Sequence, residues 1–296
     1  MKLAAIDIGS NAVRLLIEKV SSGSDGYAIE KVAFFRIPIR LGADVFSKSR
    51  IGTRNAERLE SAMKAFWYLM DVHDVEQYRA VATSAMREAE NGDEVVKRIL
   101  KRANIEIEII TGQVEADLIV STFLNQKLDP LGNYLYIDVG GGSTEVTLIL
   151  KGKRVHSKSF GIGTVRMLQG KVNKKKWVKA RHWVQELGAS DYQDLVAVGT
   201  GGNINKIFKE VGKRPSETIT AEEIEEMHAH YSSYTYTERV NKLGLRPDRA
   251  DVIIPAAEIY HNFMRFAGVQ HMSVPKVGLS DGVVFRMFQE WEAQRR

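Results

Sequence analysis

Three segments of the sequence place glycine together with hydroxyl or amide side chains directly after an apolar stretch. They are Asp7–Asn11, Asp138–Glu145 and Val198–Asn203. Glycine-rich turns let backbone N–H groups point outward at close range, and Ser and Thr add further donors, so such turns can bind phosphate. The first two segments also begin with an aspartate, and a carboxylate beside a bound phosphate commonly holds Mg²⁺. The pattern therefore predicts phosphate chemistry assisted by a divalent cation.

Other kinds of chemistry fit these segments less well. None of the turns continues into Gly-Lys-Ser/Thr, so none is a P-loop, and the first is followed by a strand pattern instead of the helix of a dinucleotide-binding motif. The chain has no cysteine, which excludes a cysteine nucleophile and a thiolate metal site. A simpler interpretation stays open, because glycine is common in ordinary turns and Asp7 and Asp138 could only cap them.

The first two segments recur at matching places in the chain. Asp7 and Asp138 are 138 − 7 = 131 residues apart, and each lies between two apolar stretches. Two copies of one strand–turn–strand unit indicate a duplicated fold. We predict an N-terminal domain over 1–125 and a C-terminal domain over 126–296, joined by the polar connector 125–133, with a closing helix able to pack back onto the first domain.

The elements that must position these turns alternate between strand and helix, which is typical of α/β architecture. Strands are predicted at 3–8, 14–20, 27–40, 78–82, 105–110, 134–138 and 144–150. Helices are predicted at 53–71, 92–102, 114–125, 221–231, 251–266 and 281–294. In the first helix Leu59, Met63, Phe66, Trp67 and Met70 follow helical spacing, and Asn91 is predicted to cap the second.

Composition excludes several classes of protein. The chain has 296 residues, of which 44% are hydrophobic, so a disordered protein is excluded. No apolar run reaches the length of a membrane span, and no signal-like run opens the chain, so we predict a cytoplasmic protein without a membrane partner. The net charge is 42 − 37 = +5. Five lysines lie within Lys171–Lys179, and this run is read either as a solvated helix start or as a ligand site.

The motifs together resemble a known enzyme family. In order, they are Asp7–Ile17, Ala82–Arg87, Thr111–Ala116, Asp138–Glu145, Phe160–Arg166 and Arg246–Asp251. This set is similar to that of the exopolyphosphatase/guanosine pentaphosphate phosphohydrolase (Ppx/GppA) family of the actin-like ATPase superfamily. The resemblance implies an α/β fold of two ribonuclease H-like domains with a cleft between them. It also implies Mg²⁺ or another divalent metal as cofactor, and release of the terminal phosphate of polyphosphate or the 5′ γ-phosphate of guanosine pentaphosphate.

The resemblance also implies roles for individual residues. Glu115 matches the catalytic glutamate that activates water, and Asp138 and Glu145 match the acidic pair that binds metal. Asp7, at the place equivalent to Asp138, is a further candidate for metal binding. The residues expected to bind phosphate are Ser10, Asn11, Arg87, Gly141, Gly142, Ser143, Thr144 and Arg249. A homodimer is expected, and no nucleic acid partner.

Two alternatives and three departures from the family's pattern qualify this expectation. A non-catalytic regulator that binds guanosine alarmones is the alternative, although it would not need a water-activating acid such as Glu115. A small-metabolite kinase would need an adenosine pocket, of which the sequence gives no sign. The segment 112–114 reads Gly-Gln-Val where the family commonly carries acids, and Ser280 stands where the family usually has Arg. The longer members continue past the point equivalent to Arg296, which weakens the expectation of processive work on very long chains and leaves shorter substrates open.

Overall fold

The computed structural model describes residues 1–23, 26–123, 129, 132–188, 192 and 194–295. They belong to two compact units: unit 1 is Met1–Asn125 with Gly278–Arg296, and unit 2 is Gln126–Val277. Most of the predicted connector 125–133 lies outside the described residues. The predicted domain bounds stay a prediction, and the predicted closing helix belongs to unit 1.

The described elements alternate as the apolar patterns indicate. The strands are β1 (Lys2–Ile8), β2 (Val13–Gly23), β3 (Gly26–Ile37), β4 (Gln77–Ala82), β5 (Ile107–Ile109), β6 (Asn133–Val139), β7 (Thr144–Leu150), β8 (Lys153–Phe160), β9 (Leu195–Thr200), β10 (Thr218–Thr220) and β11 (His271–Ser273). The helices are α1 (Leu41–Lys48), α2 (Thr53–Val72), α3 (Ser84–Glu88), α4 (Gly92–Ala103), α5 (Gly112–Phe123), α6 (Thr164–Leu168), α7 (Lys174–Glu186), α8 (Gly202–Glu210), α9 (Ala221–Ser232), α10 (Tyr236–Asn241), α11 (Pro247–Ala250), α12 (Ile253–Ala267) and α13 (Leu279–Ala293).

Unit 1 is built on a mixed sheet whose described strands follow the order β3-β2-β1-β4-β5. The central strand β1 pairs antiparallel with β2 and parallel with β4. Leu3 and Ile6 of β1 are fully buried, as are Ala4 and Ala5 between them. A strand that is apolar on both faces fits the centre of a sheet with both faces covered. This strand carries Asp7 at its C-terminal end.

The helical spacing of its apolar residues gives α2 one buried side. Leu59, Met63, Phe66 and Met70 are buried, as their three- and four-residue spacing predicts. Trp67 belonged to the same predicted stripe, but 38% of it is exposed. It follows Phe66 directly and therefore points about 100° around the helix, away from that stripe.

Asn91 holds the predicted position before α4 but is not a side-chain cap of that helix. Its Oδ1 accepts a hydrogen bond from the backbone N–H of Ile51 at 2.9 Å, and its Nδ2 donates to the carbonyl of Ile51 at 3.0 Å. The Asn91 side chain is therefore engaged in a tertiary contact with Ile51 instead of capping α4.

Unit 2 is built on a second mixed sheet, with the described strands in the order β10-β11-β9-β6-β7-β8. Its core includes the buried side of α12, where Ile259, Tyr260 and Phe263 are fully buried. Leu135 and Ile137 of β6 belong to the same core. The strand that carries Asp138 is thus anchored by apolar packing.

The two sheets repeat one pattern. In each, the first strand pairs antiparallel with the second and parallel with the fourth (β1 with β2 and β4, β6 with β7 and β9). The second strand pairs antiparallel with the third in both sheets. The predicted α/β class and the predicted duplication are therefore visible in the topology. The cleft expected from the resemblance stays a prediction.

Within the part of the chain that the structure describes, no helix combines the length and the apolar character that crossing a bilayer requires.

Candidate phosphate and metal site

The first glycine-rich turn joins β1 to β2 in unit 1. The Gly9 N–H donates to the Ala12 carbonyl at 3.1 Å, which closes the turn. Within the turn, the Ser10 hydroxyl lies 2.9 Å from the hydroxyl of Ser84, and both side chains are buried. Ser84 begins α3, so this contact joins the first turn to the predicted Ala82–Arg87 motif.

Asp7 and Arg14 face each other across this hairpin. They are direct partners in the β1–β2 register, and the Arg14 guanidinium donates to the Asp7 carboxylate. The Asp7 side chain is 7% exposed, whereas that of Arg14 is 31% exposed. A guanidinium therefore occupies the position opposite this aspartate. The predicted metal role of Asp7 stays a prediction, with an ion pair to Arg14 as its observed contact.

Glu115 lies in the first turn of α5, also in unit 1. The helix start is held by Thr111, whose Oγ1 accepts from the Val114 N–H at 3.2 Å and whose carbonyl accepts from the Glu115 N–H at 3.0 Å. An acid in the first turn is favoured by the helix dipole. Glu115 is 7% exposed, so a carboxylate that would normally be solvated is held inside.

Arg87 is the basic neighbour of Glu115. Its Nη1 donates to the Ile110 carbonyl at 2.6 Å and lies 4.0 Å from Glu115 Oε2. The structure thus brings together two of the predicted site residues that are 115 − 87 = 28 positions apart in the chain. The contact with Ile110, just after β5, directs the guanidinium toward the start of α5.

The second turn, in unit 2, repeats the geometry of the first. The Gly140 N–H donates to the Ser143 carbonyl at 2.9 Å, and 140 − 9 = 143 − 12 = 131, the predicted offset. Asp138 and Glu145 are direct partners in the β6–β7 register. Directly opposite residues of an antiparallel pair have Cα atoms about 4.5–5.5 Å apart and side chains on one face. The two predicted metal ligands of this unit are therefore neighbours.

The segment after β8 packs against this turn. A Cβ atom added to Gly163 would lie 2.4 Å from the Gly142 carbonyl carbon and 2.6 Å from the Gly141 oxygen, so only glycine fits there. The Thr164 N–H donates to the Gly140 carbonyl at 3.1 Å, and the Arg166 side chain donates to the Gly142 carbonyl. The turn is thus braced by residues about twenty positions later.

Hydroxyl groups donate a hydrogen bond to one carboxylate oxygen of Asp138 and to one of Glu145. Thr200 Oγ1 donates to Asp138 Oδ1 at 2.7 Å, and Ser159 Oγ donates to Glu145 Oε1 at 2.8 Å. Thr200 is in turn bonded by Tyr136, whose hydroxyl meets its Oγ1, and by Tyr260, whose hydroxyl donates to its carbonyl.

Both tyrosines are fully buried, and this fixes their protonation state. Burial raises the pKa of Tyr136 and that of Tyr260 well above the usual value for tyrosine, and the nearby charge of Asp138 raises both further. The phenols therefore stay neutral. A neutral phenol can act as a hydrogen-bond donor, as that of Tyr260 does to the Thr200 carbonyl.

The third glycine-rich segment differs from the other two because it leads into a helix. Strand β9 ends at Thr200, Gly201 adopts φ +110°, a conformation that favours glycine, and α8 begins at Gly202. The Arg249 Nη2 lies 3.2 Å from the position of a Cβ on Gly202. Arg249 thus lies against the start of α8, which carries a partial positive charge from the helix dipole. The two features together favour an anion.

The structure groups the predicted residues within each unit. Ser10, Asn11 and Asp7 lie at the β1–β2 turn, and Arg87 lies beside Glu115. The turn residues of unit 2 adjoin its two carboxylates: Asp138, Gly141, Gly142, Ser143, Thr144 and Glu145.

The residues that sequence reasoning missed are mostly hydroxyl partners from distant segments: Thr200, Ser159, Ser84 and Tyr136. Two of them had a signal, because Thr200 lies inside the third glycine-rich segment and Ser84 lies inside the predicted Ala82–Arg87 motif.

Comparison with known proteins gives one family. A model of the Ppx/GppA phosphatase family matches residues 17–291. The exopolyphosphatase 1 of Mycobacterium tuberculosis is 25% identical, over 97% of this chain and 88% of that protein.

Solved structures show the same fold. The chain is similar to the exopolyphosphatase from Cytophaga hutchinsonii, with a TM-score of 0.82 at 21% identity over 98% of both chains. It is also similar to the Aquifex aeolicus member of the Ppx/GppA family, with a TM-score of 0.77 at 24% identity over 98% of both chains. The expected fold of actin-like ATPase type is confirmed.

Proposed function

Because the chain belongs to the Ppx/GppA phosphatase family, we propose that it is a metal-dependent phosphohydrolase that releases the terminal phosphate of inorganic polyphosphate. Its mycobacterial relative is named as an exopolyphosphatase, which supports this substrate. Guanosine pentaphosphate is the second substrate of the proposal, because it too ends in a phosphoanhydride. Water is the nucleophile.

The observation that carries the proposal is the pairing of Asp138 and Glu145. Two carboxylates directly opposite each other on adjacent strands repel, which is unfavourable for the sheet. A divalent cation would offset that repulsion, and Mg²⁺ prefers oxygen ligands of this kind. The pair lies beside a glycine-rich turn suited to phosphate. An acidic pair next to a phosphate turn is the arrangement that metal-assisted phosphoryl transfer requires.

The donor set of unit 2 fits a hard divalent cation. Carboxylate oxygens of Asp138 and Glu145 would hold it, and the hydroxyls of Thr200 and Ser159 orient those carboxylates. When bound, the metal neutralises charge on the phosphate oxygens and lowers the pKa of bound water.

The remaining roles follow from position and charge. The turn residues Gly141–Thr144 would donate backbone hydrogen bonds to phosphate, and the Ser143 hydroxyl would add one, as would Ser10 and Asn11 of the unit 1 turn. The Thr144 hydroxyl is buried and donates to the Ile162 carbonyl at 2.6 Å instead. Arg87 and Arg249 would stabilise the phosphate charge that develops during bond cleavage. Each of these roles is proposed for its residue separately, and the grouping of these residues within each unit supports it.

Glu115 is proposed as the general base. It is a buried carboxylate at the start of a helix, with the Arg87 guanidinium 4.0 Å away. Such a base takes a proton from the attacking water as the water oxygen bonds to the terminal phosphorus. The bridging P–O bond of the phosphoanhydride breaks, and the rest of the substrate leaves with the electron pair and the negative charge. Positioned acid–base catalysis of this kind supplies about 10²–10⁴ in rate.

The test measures orthophosphate released from tripolyphosphate, long-chain polyphosphate and guanosine pentaphosphate, with Mg²⁺ and with EDTA. We expect Mg²⁺-dependent release from at least one of them. Glu115→Gln should lower kcat by about 10²–10⁴-fold while leaving substrate binding in place. Glu106→Gln is the matched control, because it makes the same change at an exposed glutamate of the same unit and should leave kcat unchanged.

Two results would contradict the proposal. The first is no release of phosphate from any of the three substrates. The second is tight calorimetric binding of guanosine pentaphosphate without turnover, which would favour the regulator instead. Homodimerisation and a cytoplasmic location stay predictions, to be checked by light scattering and by cell fractionation.

A further inference from the structure

A chain of two hydrogen bonds leads through the interior of unit 2 to the Asp138 carboxylate. The Thr200 hydroxyl donates to Asp138 Oδ1 at 2.7 Å and also meets the hydroxyl of Tyr136. A hydroxyl carries one proton, so Thr200 Oγ1 must accept from Tyr136. The direction is therefore fixed: Tyr136 donates to Thr200, and Thr200 donates to Asp138. Hydrogen bonds that follow one another in this way polarise and strengthen each other.

The register of the sheet brings the three side chains together. Asp138 and Thr200 are direct partners in the parallel β6–β9 pair. Tyr136 lies two residues before Asp138 on β6, so the two side chains are on the same face of the sheet. Tyr136 and Thr200 are both fully buried. Because all three residues lie in paired strands, the arrangement of the two hydroxyls is set by the sheet itself.

Unit 1 shows that this fold does not need the two hydroxyls. The offset of the duplication places Ala5 at the position of Tyr136, since 136 − 131 = 5. The partner of Asp7 in the parallel β1–β4 pair is Val81, at the place that Thr200 holds in unit 2. Ala5 and Val81 are apolar and fully buried. The hydroxyls thus accompany the aspartate that faces a carboxylate, whereas the aspartate that faces a guanidinium has apolar neighbours in their place.

Packing does not explain the phenol of Tyr136 either. Phenylalanine has the same ring, and burying a hydroxyl is unfavourable unless the hydroxyl is hydrogen-bonded. Tyr231 of the same unit is also fully buried, yet its hydroxyl has no hydrogen-bond partner among the residues that the structure describes. The Tyr136 hydroxyl, in contrast, has a defined acceptor. That acceptor is the residue that donates to Asp138.

Thr200 is held at its side chain and at its backbone. Tyr136 donates to its hydroxyl oxygen, and the hydroxyl of Tyr260 donates to its carbonyl. Both phenols are neutral because they are fully buried, so each keeps the proton that it donates. With its oxygen occupied by the Tyr136 donor, the Thr200 hydroxyl directs its own proton to Asp138 Oδ1. This contact restricts the orientation of the Asp138 carboxylate.

We propose that Tyr136 is a positioning residue for divalent cation binding, which it supports by fixing Thr200 and through it Asp138. The inference rests on the proposed function, in which Asp138 holds the cation. Without the phenol hydroxyl, Thr200 Oγ1 loses its donor and the threonine side chain is free to turn. The Asp138 carboxylate is then less well oriented, so the cation binds more weakly. The rate at saturating cation depends little on Tyr136.

The test removes one oxygen atom with Tyr136→Phe. Binding of Mn²⁺ is measured in the absence of substrate, from the loss of the free-ion signal in electron paramagnetic resonance. The dissociation constant should rise by about threefold to tenfold, less than for a residue that contacts a ligand directly. The Mg²⁺ concentration for half-maximal phosphate release should rise by a similar factor, with kcat at saturating Mg²⁺ within about twofold.

Tyr231→Phe is the matched control, because it makes the same change at a fully buried tyrosine of the same unit. It should change none of these values. A loss of Mn²⁺ affinity in Tyr231→Phe equal to that in Tyr136→Phe would overturn the inference in favour of a general effect on the core of unit 2.

A double-mutant cycle shows whether Tyr136 acts through Thr200. In a Thr200→Val background, Tyr136→Phe should change Mn²⁺ affinity by less than about 1.5-fold, because the contact that it supports is already gone. A purely structural role of the phenol would instead weaken binding by the same factor in both backgrounds, and that result overturns the inference.

The Mn²⁺ titration separates this inference from the proposed function, because it needs no turnover. Weaker Mn²⁺ binding by Tyr136→Phe alone supports the positioning role even if no phosphate is released from any substrate. Equal Mn²⁺ binding by Tyr136→Phe and wild type overturns the inference even if the enzyme is active. Wild-type protein that binds no Mn²⁺ overturns it as well.

Discussion

The β1–β2 and β6–β7 hairpins have the same backbone arrangement but opposite charge patterns. Each carries an aspartate seven residues before its cross-strand partner, Asp7 with Arg14 and Asp138 with Glu145. Each turn is closed by an equivalent hydrogen bond from glycine. The second strand of each also shifts register against the third at equivalent places, after Ile17 in one and after Leu148 in the other.

The difference lies in the side chain opposite the aspartate. In unit 1 it is the guanidinium of Arg14, so the hairpin neutralises its own carboxylate. In unit 2 it is the carboxylate of Glu145, so the hairpin places two acidic side chains opposite each other beside a glycine-rich turn. A second difference lies four residues further on, where buried Glu18 in β2 corresponds to apolar Ile149 in β7. The two hairpins therefore share a backbone arrangement and differ in the charge that lies opposite the aspartate.

The largest expected effect comes from giving unit 2 the charge pattern of unit 1. Glu145→Arg places a guanidinium opposite Asp138, so the pair can no longer attract a cation. We expect Mg²⁺-dependent phosphate release to fall by on the order of 10³-fold. Kinetics at saturating polyphosphate measure this, with circular dichroism as a check on folding.

Because the Glu145 site is buried, Arg could disturb packing there. The isosteric Glu145→Gln therefore accompanies it and should show a comparable loss. Undiminished activity in Glu145→Gln would mean that the pair is not the metal site.

The reverse change in unit 1 should affect stability. Arg14→Glu leaves two carboxylates opposite each other, one of them the buried Asp7. Removing one partner of a largely buried ion pair is costly, so the free energy of unfolding should fall by about 2–4 kcal/mol, discounted for the exposed part of Arg14. Urea denaturation measures it.

The double variant Asp7→Asn/Arg14→Gln removes both charges and serves as the control, with a smaller loss expected. A loss below about 1 kcal/mol in Arg14→Glu would show that the unit 1 pair contributes little, as many exposed pairs do.

Glu18 should make the stability of the protein depend on pH. The pKa of Glu18 is raised to about 8, mainly by burial and in addition by the charge of Asp281, while Lys31 acts to lower it. The folded protein therefore holds a proton that the unfolded chain releases above its ordinary pKa of about 4.3. The free energy of unfolding should consequently decrease as pH rises from 5 to 8, by about 3 kcal/mol.

Glu18→Gln should remove most of this slope, and denaturation curves at several pH values test it. The variant should be more stable than wild type at pH 8 and nearly equal to it at pH 4. Parallel pH profiles for the two proteins would be inconsistent with a buried, protonated Glu18.

The smallest effect is expected from the hydroxyl that orients Asp138. Thr200→Val keeps the shape of the side chain but removes the donor to Asp138 Oδ1. Loss of such an orienting contact typically costs about 10–100-fold in metal affinity or activity. The Mg²⁺ concentration for half-maximal rate should rise more than kcat falls.

Thr200→Ser should restore wild-type behaviour, because it returns the hydroxyl. A loss in Thr200→Val that Ser does not rescue would indicate a packing defect instead.

The sequence predicted much of this fold because its signals are local. The glycine-rich turns after apolar stretches located both hairpins, and the 131-residue offset between Asp7 and Asp138 predicted the duplication that the two sheets display. Helical spacing located α2, with Trp67 the one member of its stripe that proved exposed. Family resemblance then selected Glu115, which composition and spacing would leave as one more helical glutamate.

What the sequence could not provide are contacts between distant segments. The partner of Asp7 depends on hairpin register, and a shift of one residue would have replaced Arg14 by an apolar neighbour. The bond from Thr200 to Asp138 spans 62 residues and exists because β9 pairs with β6 in the sheet. Asn91, predicted as a helix cap, instead accepts a hydrogen bond from the backbone N–H of Ile51, a residue 40 positions away in the chain.

By itself, then, the sequence determined the elements, their repetition and the residue types that can bind phosphate and metal, because these depend on neighbours along the chain. Only the tertiary structure decided that Asp7 faces a guanidinium and Asp138 a carboxylate, and which hydroxyls orient the acids of unit 2. Strand pairing and packing bring these groups within a few ångströms, and at that distance the partner of a carboxylate decides whether it forms an ion pair or attracts a cation.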